Sequence, residues 1–280
     1  LNLQTAPFTS MPPPLCIMDK LYILDGLSFL FRSYFGIGPM KNAKGEATNA
    51  LYGFIRSIMK VIKDFSPEHL VVVFDGPNNK QSRLEIYKEY KQNREKMPDD
   101  LFSQLKLAKA YCEYAGISYL SEPKIEADDV IGAIAKWGEK KEADVFICSS
   151  DKDLCQLISP KIKMINTYKN NLIVDSKKVK ELFNVKPEQI VDYLAIMGDA
   201  SDNIPGIPGL GPKTAASLLN EYGSLEKILA NLEQMENKKR AEKIRENREK
   251  ALISQKLARL IPDALSLIHI SEPTRLGMIP

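Results

Sequence analysis

Leu70-Val-Val-Val-Phe-Asp75 is an apolar run that ends in a carboxylate, and this short stretch decides the fold. Two other apolar runs, Leu21 to Leu24 and Val145 to Cys148, lead in the same way to Asp25 and Asp151. We interpret each run as a buried strand with an acid at or just beyond its carboxyl end. In an open parallel sheet those ends line the ligand crevice, so the three carboxylates are predicted to meet there.

Six further acids fall on turns or helix starts and complete a set of nine. The set is Asp25, Asp75, Glu126, Asp128, Asp129, Asp151, Asp153, Asp199 and Asp202. Glu126 and Asp129 are three residues apart, and Asp199 and Asp202 repeat that spacing. Each of these two pairs is therefore expected to share one face of a helix.

Such a concentration of negative charge needs compensation. Two carboxylates about 4 Å apart repel by about 4 kcal/mol at an effective dielectric constant of about 20. We therefore expect bound cations, and oxygen ligands without neighbouring His or Cys favour Mg²⁺ or Mn²⁺ over zinc. A single strand-end Asp is more often a helix cap or turn former, but that explanation does not account for the whole set. Asp129 has a second interpretation, a helix-start charge favoured by the helix dipole.

Composition restricts the class of protein. The chain has 280 residues, of which 44% are hydrophobic and 27% charged, as in a soluble globular protein rather than a disordered one. Its net charge of +3 is too small to indicate nucleic acid by itself. The four cysteines have no C-x-x-C spacing, which predicts buried thiols in a reducing cytosol. No long apolar stretch and no signal peptide is found, so we expect a cytoplasmic protein without membrane contact.

Apolar periodicity divides the chain into two predicted domains. Strands are predicted at 20–24, 70–74, 117–120, 145–148, 163–166 and 172–174, and helices at 28–35, 49–64, 99–115, 127–140 and 152–157. This alternation indicates an α/β domain over 18–175, a mostly parallel central sheet flanked by helices. Further helices are predicted at 176–183, 187–197, 212–222, 224–229 and 237–260, which gives a smaller helical domain over 176–265. We expect 1–17 to be a non-native or disordered extension and 266–280 an artefactual tail.

A glycine- and proline-rich segment follows the last acidic pair. It reads Asn203-Ile-Pro-Gly-Ile-Pro-Gly-Leu-Gly-Pro-Lys-Thr214 and continues into a predicted helix. Gly209 and Gly211 let the backbone approach a ligand closely, and free amides at the helix start bind phosphate. Lys213 adds a positive charge, so we predict contacts to a DNA backbone without reading of its sequence. A plain interhelix turn with a cap is the alternative.

A second segment, between the second and third acidic segments, mixes basic and aromatic residues. Arg83, Tyr87, Tyr90, Lys91 and Arg94 recur at helical intervals, which predicts that cations and rings share one helix face. Such a face binds a single strand, because Arg and Lys contact phosphates while a ring stacks on a base. The alternative is a solvated charged helix whose tyrosines partly cover the core.

These motifs together resemble the 5′-nuclease domain of bacterial DNA polymerase I, a member of the flap endonuclease family, from about residue 18 to 265. The motifs are Leu-Asp-Gly at 24–26, Val-Val-Phe-Asp at 72–75, Tyr-Lys-x-x-Arg at 90–94, Met-Pro-Asp-Asp at 97–100, Glu-Ala-Asp-Asp at 126–129, Asp-Lys-Asp at 151–153 and Gly-Asp-x-Ser-Asp-Asn-Ile-Pro-Gly at 198–206. The resemblance implies a PIN/FEN-like sheet domain, followed by a helical domain with a helix-hairpin-helix element at 203–220.

The resemblance also implies roles for the acids and for three basic residues. A first Mg²⁺ ion would be held by Asp75, Glu126, Asp128 and Asp129, with Asp25 close by through water. A second would be held by Asp151, Asp153 and Asp202, with help from Asp199, and Mn²⁺ would be an alternative ion. Hydrolysis would leave a 5′-phosphate and a 3′-hydroxyl. Lys91 and Arg94 would steer the phosphate, and Arg32 aligns with a basic residue near the active site.

For DNA binding, the resemblance implies two elements. Residues 78–100 match the helical arch through which a 5′ single strand passes. The duplex-binding turn would use Gly206, Gly209, Gly211, Lys213 and Thr214, and a K⁺ ion often occupies it in the family. The implied substrates are DNA with a 5′ flap or 5′ end and RNA primer–DNA hybrids, in replication and repair. We expect a monomer, and a polymerase I cut short rather than a free-standing nuclease.

Two other functions are kept as alternatives. One is a metal-dependent RNase of the PIN-like fold, although such chains usually lack the glycine-rich turn at 206–214. The other is a branched-DNA-binding module without catalysis, for which a missing acid would be the sign. All nine acids are present.

Overall fold

One six-stranded sheet organises the first part of the chain in a computed structural model that describes residues 19–261. Its strands are β1 (Lys20–Asp25), β2 (His69–Val73), β3 (Ser118–Leu120), β4 (Asp144–Cys148), β5 (Ile162–Asn166) and β6 (Leu172–Val174). Their order is β3-β2-β1-β4-β5-β6, and every pairing is parallel except that of β5 with β6. The predicted mostly parallel α/β sheet is therefore confirmed.

The register of the central strands brings three acids to one edge of the sheet. β1 pairs with β2 on one side and with β4 on the other, and Asp25 is in register with Val73. Asp75 follows Val73 by two residues, and Asp151 follows the end of β4 by three. The chain adds strands on one side of β1 and then on the other, and ligands bind at such a switch point.

Eleven α-helices are described within residues 19–261. They are α1 (Gly26–Gly36), α2 (Asn49–Phe65), α3 (Gln81–Ile86), α4 (Asp99–Tyr114), α5 (Ala127–Lys140), α6 (Ser176–Phe183), α7 (Ile190–Met197), α8 (Pro212–Tyr222), α9 (Leu225–Ala230), α10 (Lys238–Glu246) and α11 (Arg248–Ala258). Short 3₁₀ turns lie at Asp153–Leu157, Pro187–Gln189 and Leu232–Gln234. The helix predicted at 152–157 is thus a 3₁₀ turn, and the one predicted at 237–260 is two helices.

Alternate residues of the central strand face two different apolar layers. Leu21 and Ile23 belong to a buried cluster that includes α5, whereas Tyr22 and Leu24 belong to one formed with α1, α2 and α4. Burying a Leu or Ile side chain stabilises a fold by roughly 1.5–3 kcal/mol. The first cluster continues into the helical part of the chain, for example to Leu194 of α7, so these helices pack on the core of the sheet.

The predictions for 1–17 and 266–280 lie outside the described residues. Within 19–261, none of the helices is both long enough and apolar enough to cross a membrane.

Candidate active site

Two of the strand-end acids cap the helices that begin beside them. Asp25 accepts hydrogen bonds from the backbone N–H of Ser28 at 3.0 Å and from the hydroxyl of Ser149 at 2.9 Å. Asp75 accepts one from the backbone N–H of Ala127, at the start of α5, at 2.8 Å. Helix capping and membership of an acid cluster are therefore not exclusive, because each carboxylate keeps further lone pairs for another partner.

Short local turns orient the remaining acids toward the same edge. Asp151 accepts the backbone N–H of Asp153 at 3.0 Å, and Asp199 accepts that of Ser201 at 2.7 Å. The backbone bridge between Asp199 and Ile204 closes the turn that carries Asp202.

The structure distributes eight of the nine acids between two adjoining cavities. The first, of about 490 Å³, is lined by Asp25, Asp75, Glu126, Asp128 and Asp151. The second, of about 320 Å³, is lined by Asp151, Asp153, Asp199 and Asp202. Asp151, Ser28, Arg94 and Ser201 border both cavities. This division resembles the two groups that the family resemblance implies, but Asp151 borders both cavities and Asp129 borders neither.

Basic side chains neutralise part of this charge. The ammonium of Lys91 lies 2.9 Å from Glu126 and 3.5 Å from Asp202, so it joins the two groups of acids. Arg94 also pairs with Asp202, and Lys152 lies 2.5 Å from Asp199. Bound metal is therefore not the sole source of compensating charge, because protein cations pair with Glu126, Asp199 and Asp202.

Five of the nine acids have no ion pair within residues 19–261. They are Asp25, Asp75, Asp128, Asp151 and Asp153. Desolvation raises the pKa of Asp25 to about 6, although hydrogen bonds from Ser28 and Ser149 oppose it. Desolvation and then the charge of Asp151 raise the pKa of Asp153 to about 8, and the same two causes raise that of Asp128. These carboxylates are poised to accept positive charge.

The donor chemistry suits a divalent metal ion, but the side chains do not form a finished cage. Glu126 Oε1 and Asp153 Oδ1 are buried without a hydrogen-bond partner, one in each cavity. Unpartnered carboxylate oxygens of this kind are ligands that Mg²⁺ prefers. Within 19–261, however, no three His, Cys, Asp or Glu side chains are arranged to hold an ion as they stand. Full use of Glu126, Asp202 and Asp199 as metal ligands would require Lys91, Arg94 and Lys152 to release carboxylate oxygens.

The prediction of one helical face over 83–94 is wrong. α3 ends at Ile86, and the following residues form turns in which Lys91 adopts a left-handed φ of 52°. The chain instead crosses the crevice, since the backbone N–H of Lys91 donates to the carbonyl of Asp202 at 2.9 Å. Periodicity could not reveal this, because the segment is held by contacts more than 100 residues away in sequence.

The individual side chains of this segment have different positions. Tyr90 is buried, and its hydroxyl donates to Glu126 at 3.2 Å, so its ring is not free to stack on a base here. Arg83 is buried as well, in an ion pair with Asp129. Tyr87 is half-buried and donates to Glu89, while Arg94 borders both cavities.

Asp129 lies apart from the other acids because its oxygens are already occupied. Arg83 donates to them through two nitrogens, at 2.6 and 2.9 Å, and the backbone N–H of Ile261 donates at 2.9 Å. The expected metal-ligand role for Asp129 therefore finds no support in this arrangement. The helix-start alternative did not predict the ion pair with Arg83 either.

The glycine-rich turn divides into a buried and an exposed half. Gly206 is buried with φ of 57°, donates its N–H to Ser254 at 2.9 Å, and leaves no room for a Cβ against Gly198. It is a structural residue, so its predicted DNA contact finds no support. Gly209, Gly211 and Lys213 are exposed, and Thr214 is half-buried at the start of α8. A cation that sequence analysis did not select, Lys243 of α10, approaches Gly209.

Arg32 lies at the rim rather than in either cavity. Its guanidinium stacks over the ring of Tyr168 at 4.2 Å and donates to the hydroxyl of Ser150 at 3.4 Å. Sequence analysis also left Lys152 and Ser149 unassigned. Lys152 stands between Asp151 and Asp153, and this adjacency was the signal that could have identified it, whereas Ser149 meets Asp25 only in the folded chain.

Sequence comparisons find relatives over nearly the whole described chain. A family model described as "5′-3′ exonuclease, N-terminal resolvase-like domain" matches residues 20–184, and one described as "5′-3′ exonuclease, C-terminal SAM fold" matches 185–275. A 5′-3′ exonuclease of Aquifex aeolicus is 44% identical over 246 residues, which are 88% of this chain and 83% of the relative. A DNA polymerase I of Bacillus subtilis is 39% identical over 90% of this chain, but the match spans only 29% of the polymerase.

Solved structures share the fold. A bacteriophage T5 flap endonuclease, solved as a pseudo-enzyme–product complex with DNA and metal ions, has a TM-score of 0.73 at 25% identity. That match covers 87% of this chain and 90% of the phage protein. The zinc-bound T5 5′-exonuclease has a TM-score of 0.74 at 24% identity with the same coverage, which supports the fold alone. The predicted class, a mostly parallel α/β sheet domain followed by a smaller helical domain, is confirmed.

Proposed function

The chain belongs to the family of 5′-3′ exonucleases and flap endonucleases, and from this membership we propose a specific reaction for it. It hydrolyses phosphodiester bonds at 5′ flaps and 5′ ends of DNA, and in RNA primers paired to DNA, during replication and repair. The observation that carries the proposal is the division of eight acids between two adjoining cavities at the carboxyl edge of the sheet. A two-ion site needs such a division.

We assign the two groups of acids to two Mg²⁺ ions, with Mn²⁺ as a substitute. Asp75, Glu126 and Asp128 would hold one ion with Asp25 nearby, and the other would be held by the second group. That second group is Asp151, Asp153 and Asp202, with help from Asp199. When bound, such a pair of ions activates water and stabilises the leaving 3′ oxygen. The T5 flap endonuclease structure with metal ions supports a metal cofactor.

Lys91 and Arg94 would receive the scissile phosphate. Both border the first cavity, and both are paired here with carboxylates that the metal assignment needs. A phosphate entering the crevice offers these cations another anionic partner, so they can leave Glu126 and Asp202 as metal arrives. Arg32, at the rim beside Ser150, would bind a neighbouring phosphate.

The duplex would lie on the exposed half of the glycine-rich turn. Gly209, Gly211, Lys213 and Thr214 surround the start of α8, where free backbone N–H groups favour phosphate. Lys243, close to Gly209, adds a second positive charge. We also assign the K⁺ ion that the resemblance implies to this turn, since no acid is needed to hold an ion on backbone carbonyls.

The proposed domains follow from these roles. Residues 18–175 carry the acids up to Asp153, and residues 176–265 carry the turn and the last acidic pair. The family models divide the chain nine residues later, between 184 and 185. We propose that the protein acts as a monomer. The polymerase activity of the longer relatives is not part of the proposal, because this chain spans 29% of the Bacillus subtilis protein.

A 5′-labelled flap substrate, incubated with Mg²⁺ or with chelator, tests the reaction. We expect Mg²⁺-dependent release of short 5′ fragments, with 5′-phosphate and 3′-hydroxyl ends on the cleaved strand. Equal cleavage of an unstructured RNA would favour the RNase alternative. Salt-sensitive binding without any Mg²⁺-dependent product would favour the non-catalytic module.

A further inference from the structure

The ion pair of Arg83 and Asp129 lies outside both acid cavities, and it holds a distant part of the chain. Residues 257–261, which we call the exit strap, are the last two residues of α11 and the three that follow it. Arg83 Nε donates to the carbonyl of Leu257 at 3.2 Å, and the N–H of Ile261 donates to Asp129 at 2.9 Å. Both partners of the ion pair are about 3% exposed. The exit strap therefore lies against α3 and α5 at once.

Gln156 holds the middle of the same strap. Its Nε2 donates to the carbonyl of Ala258 at 3.0 Å, and its Oε1 accepts the N–H of Leu260 at 3.0 Å. The same Nε2 lies 2.8 Å from the carbonyl of Asp153. The exit strap is thus hydrogen-bonded to the 3₁₀ turn that begins at Asp153, in addition to α3 and α5.

Two of these three attachment points carry acids of the cavities, and the third, α3, leads to Lys91. α5 starts beside Glu126 and carries Asp128 into the first cavity. The 3₁₀ turn starts at Asp153, which lines the second cavity. α3 leads into the segment that crosses the crevice with Lys91. The exit strap therefore ties together the supports of both cavities through contacts that touch neither.

We propose that Arg83, Asp129 and Gln156 are positioning residues, which use the exit strap to fix the spacing between the two acid groups. This inference rests on the proposed two-ion function. Asp129 acts here by keeping Arg83 away from the metal site, because Arg83 Nη1 lies only 3.6 Å from Glu126. Without Asp129, Arg83 would be free to close this distance, bind Glu126 directly and withdraw it from the first cavity.

Gln156→Ala is the cleanest test, since it removes both contacts to the exit strap without changing any charge. Mutating residues that hold metal ligands in place typically lowers metal affinity or activity by about 10- to 100-fold. We expect a fall of that size in kcat for flap cleavage, a higher Mg²⁺ requirement, and a KM for DNA near that of wild type. Gln234→Ala, an exposed glutamine of the helical part, is the matched control.

Asp129→Asn, alone and combined with Arg83→Gln, tests whether Asp129 keeps Arg83 away from Glu126. Mn²⁺ binding followed by electron paramagnetic resonance counts ions independently of cleavage. We expect two ions in every variant, about 10-fold weaker binding in Asp129→Asn, and partial recovery in the double variant. Recovery is expected because no free guanidinium remains beside Glu126, and it is partial because the contact of Arg83 to Leu257 is lost as well. Circular dichroism verifies that each variant is folded.

Three results would overturn the proposal. They are loss of one bound ion in Asp129→Asn, no recovery in the double variant, or wild-type kcat and Mn²⁺ affinity in Gln156→Ala. A wild-type protein that binds two Mn²⁺ ions but cleaves no flap would instead contradict the proposed function, and the binding measurements would still test the positioning role.

Discussion

Replacing Lys91 by Met should destabilise the metal-free protein much more than the Mg²⁺-bound protein. Lys91 is buried, and its ammonium lies 2.9 Å from Glu126 and 3.5 Å from Asp202. When a chelator removes metal, Lys91 therefore supplies positive charge that bound metal would otherwise supply. Methionine keeps most of the volume of the side chain and removes only the charge and its hydrogen bonds.

The structure sets the size of the effect. Removing one partner of a buried ion pair typically costs about 3–5 kcal/mol. We expect about 3 kcal/mol, the lower end of that range, because Arg83 and the hydroxyl of Tyr90 remain at 3.6 and 3.2 Å from Glu126. For a protein of this size that corresponds to a fall in Tm of about 6 to 12 °C. With saturating Mg²⁺ the difference should shrink to about 1 kcal/mol, as for an exposed pair.

Urea denaturation in EDTA and in Mg²⁺ measures both free energies of unfolding. Lys60→Met is the matched control, because Lys60 pairs with Asp64 at 2.5 Å while its side chain is 45% exposed, so it should cost under about 1 kcal/mol in both buffers. An equal loss for Lys91→Met with and without Mg²⁺ would refute the idea that Lys91 and metal neutralise the same carboxylates.

Three further outcomes are expected. Asp75→Ala should lower the free energy of unfolding by about 1 kcal/mol, because it removes the helix cap on Ala127, whereas Asp75→Asn should keep that cap. Both variants should cleave the flap at least about 100-fold more slowly. In chelator, Tm should fall as pH rises from 5.5 to 8.5, because the raised pKa values of Asp25 and Asp153 let the folded state hold protons that the unfolded state has already lost. That slope is about 1 kcal/mol per pH unit, and it should disappear in Mg²⁺. Lys213→Ala should weaken duplex binding and reduce its log-salt slope by about 0.9.

Each of these expectations has its own opposing result. Cleavage at the wild-type rate by Asp75→Asn would remove that residue from the metal assignment. A Tm in chelator that rises toward pH 8.5 would contradict the raised pKa values, and Asp153→Asn should flatten the slope. For Lys213, an unchanged salt slope would speak against a phosphate contact, with Lys177→Ala of α6 as an exposed control.

Local pattern was enough to predict the elements that the core requires. Apolar runs of four or five residues that lead to Asp25, Asp75 and Asp151 marked strands, since a strand buried on both faces reads as a nearly continuous apolar run. The convergence of those acids followed from parallel pairing. The family was also readable from the sequence, because its motifs are short and contiguous, and the comparisons confirm it.

Partners far apart in sequence could not be predicted from spacing. The segment 83–94 has helical intervals between its cations and rings, but Lys91 is held by Asp202 and Arg83 by Asp129. Gly206 appeared suited to DNA, yet its N–H is used by Ser254. In each case a buried polar group needed a hydrogen-bond partner in the folded protein, and this need outweighed the local sequence pattern.

The sequence by itself therefore determined the sheet, the edge at which the strand-end acids gather and the family to which the chain belongs. Only the tertiary structure decided which acids remain unpaired, that Asp129 faces an arginine, and that residues 257–261 join the supports of both cavities. The physical reason is that strand formation depends on neighbouring residues and burial. The charge state and geometry of a buried site depend instead on which distant cations and amides reach each oxygen.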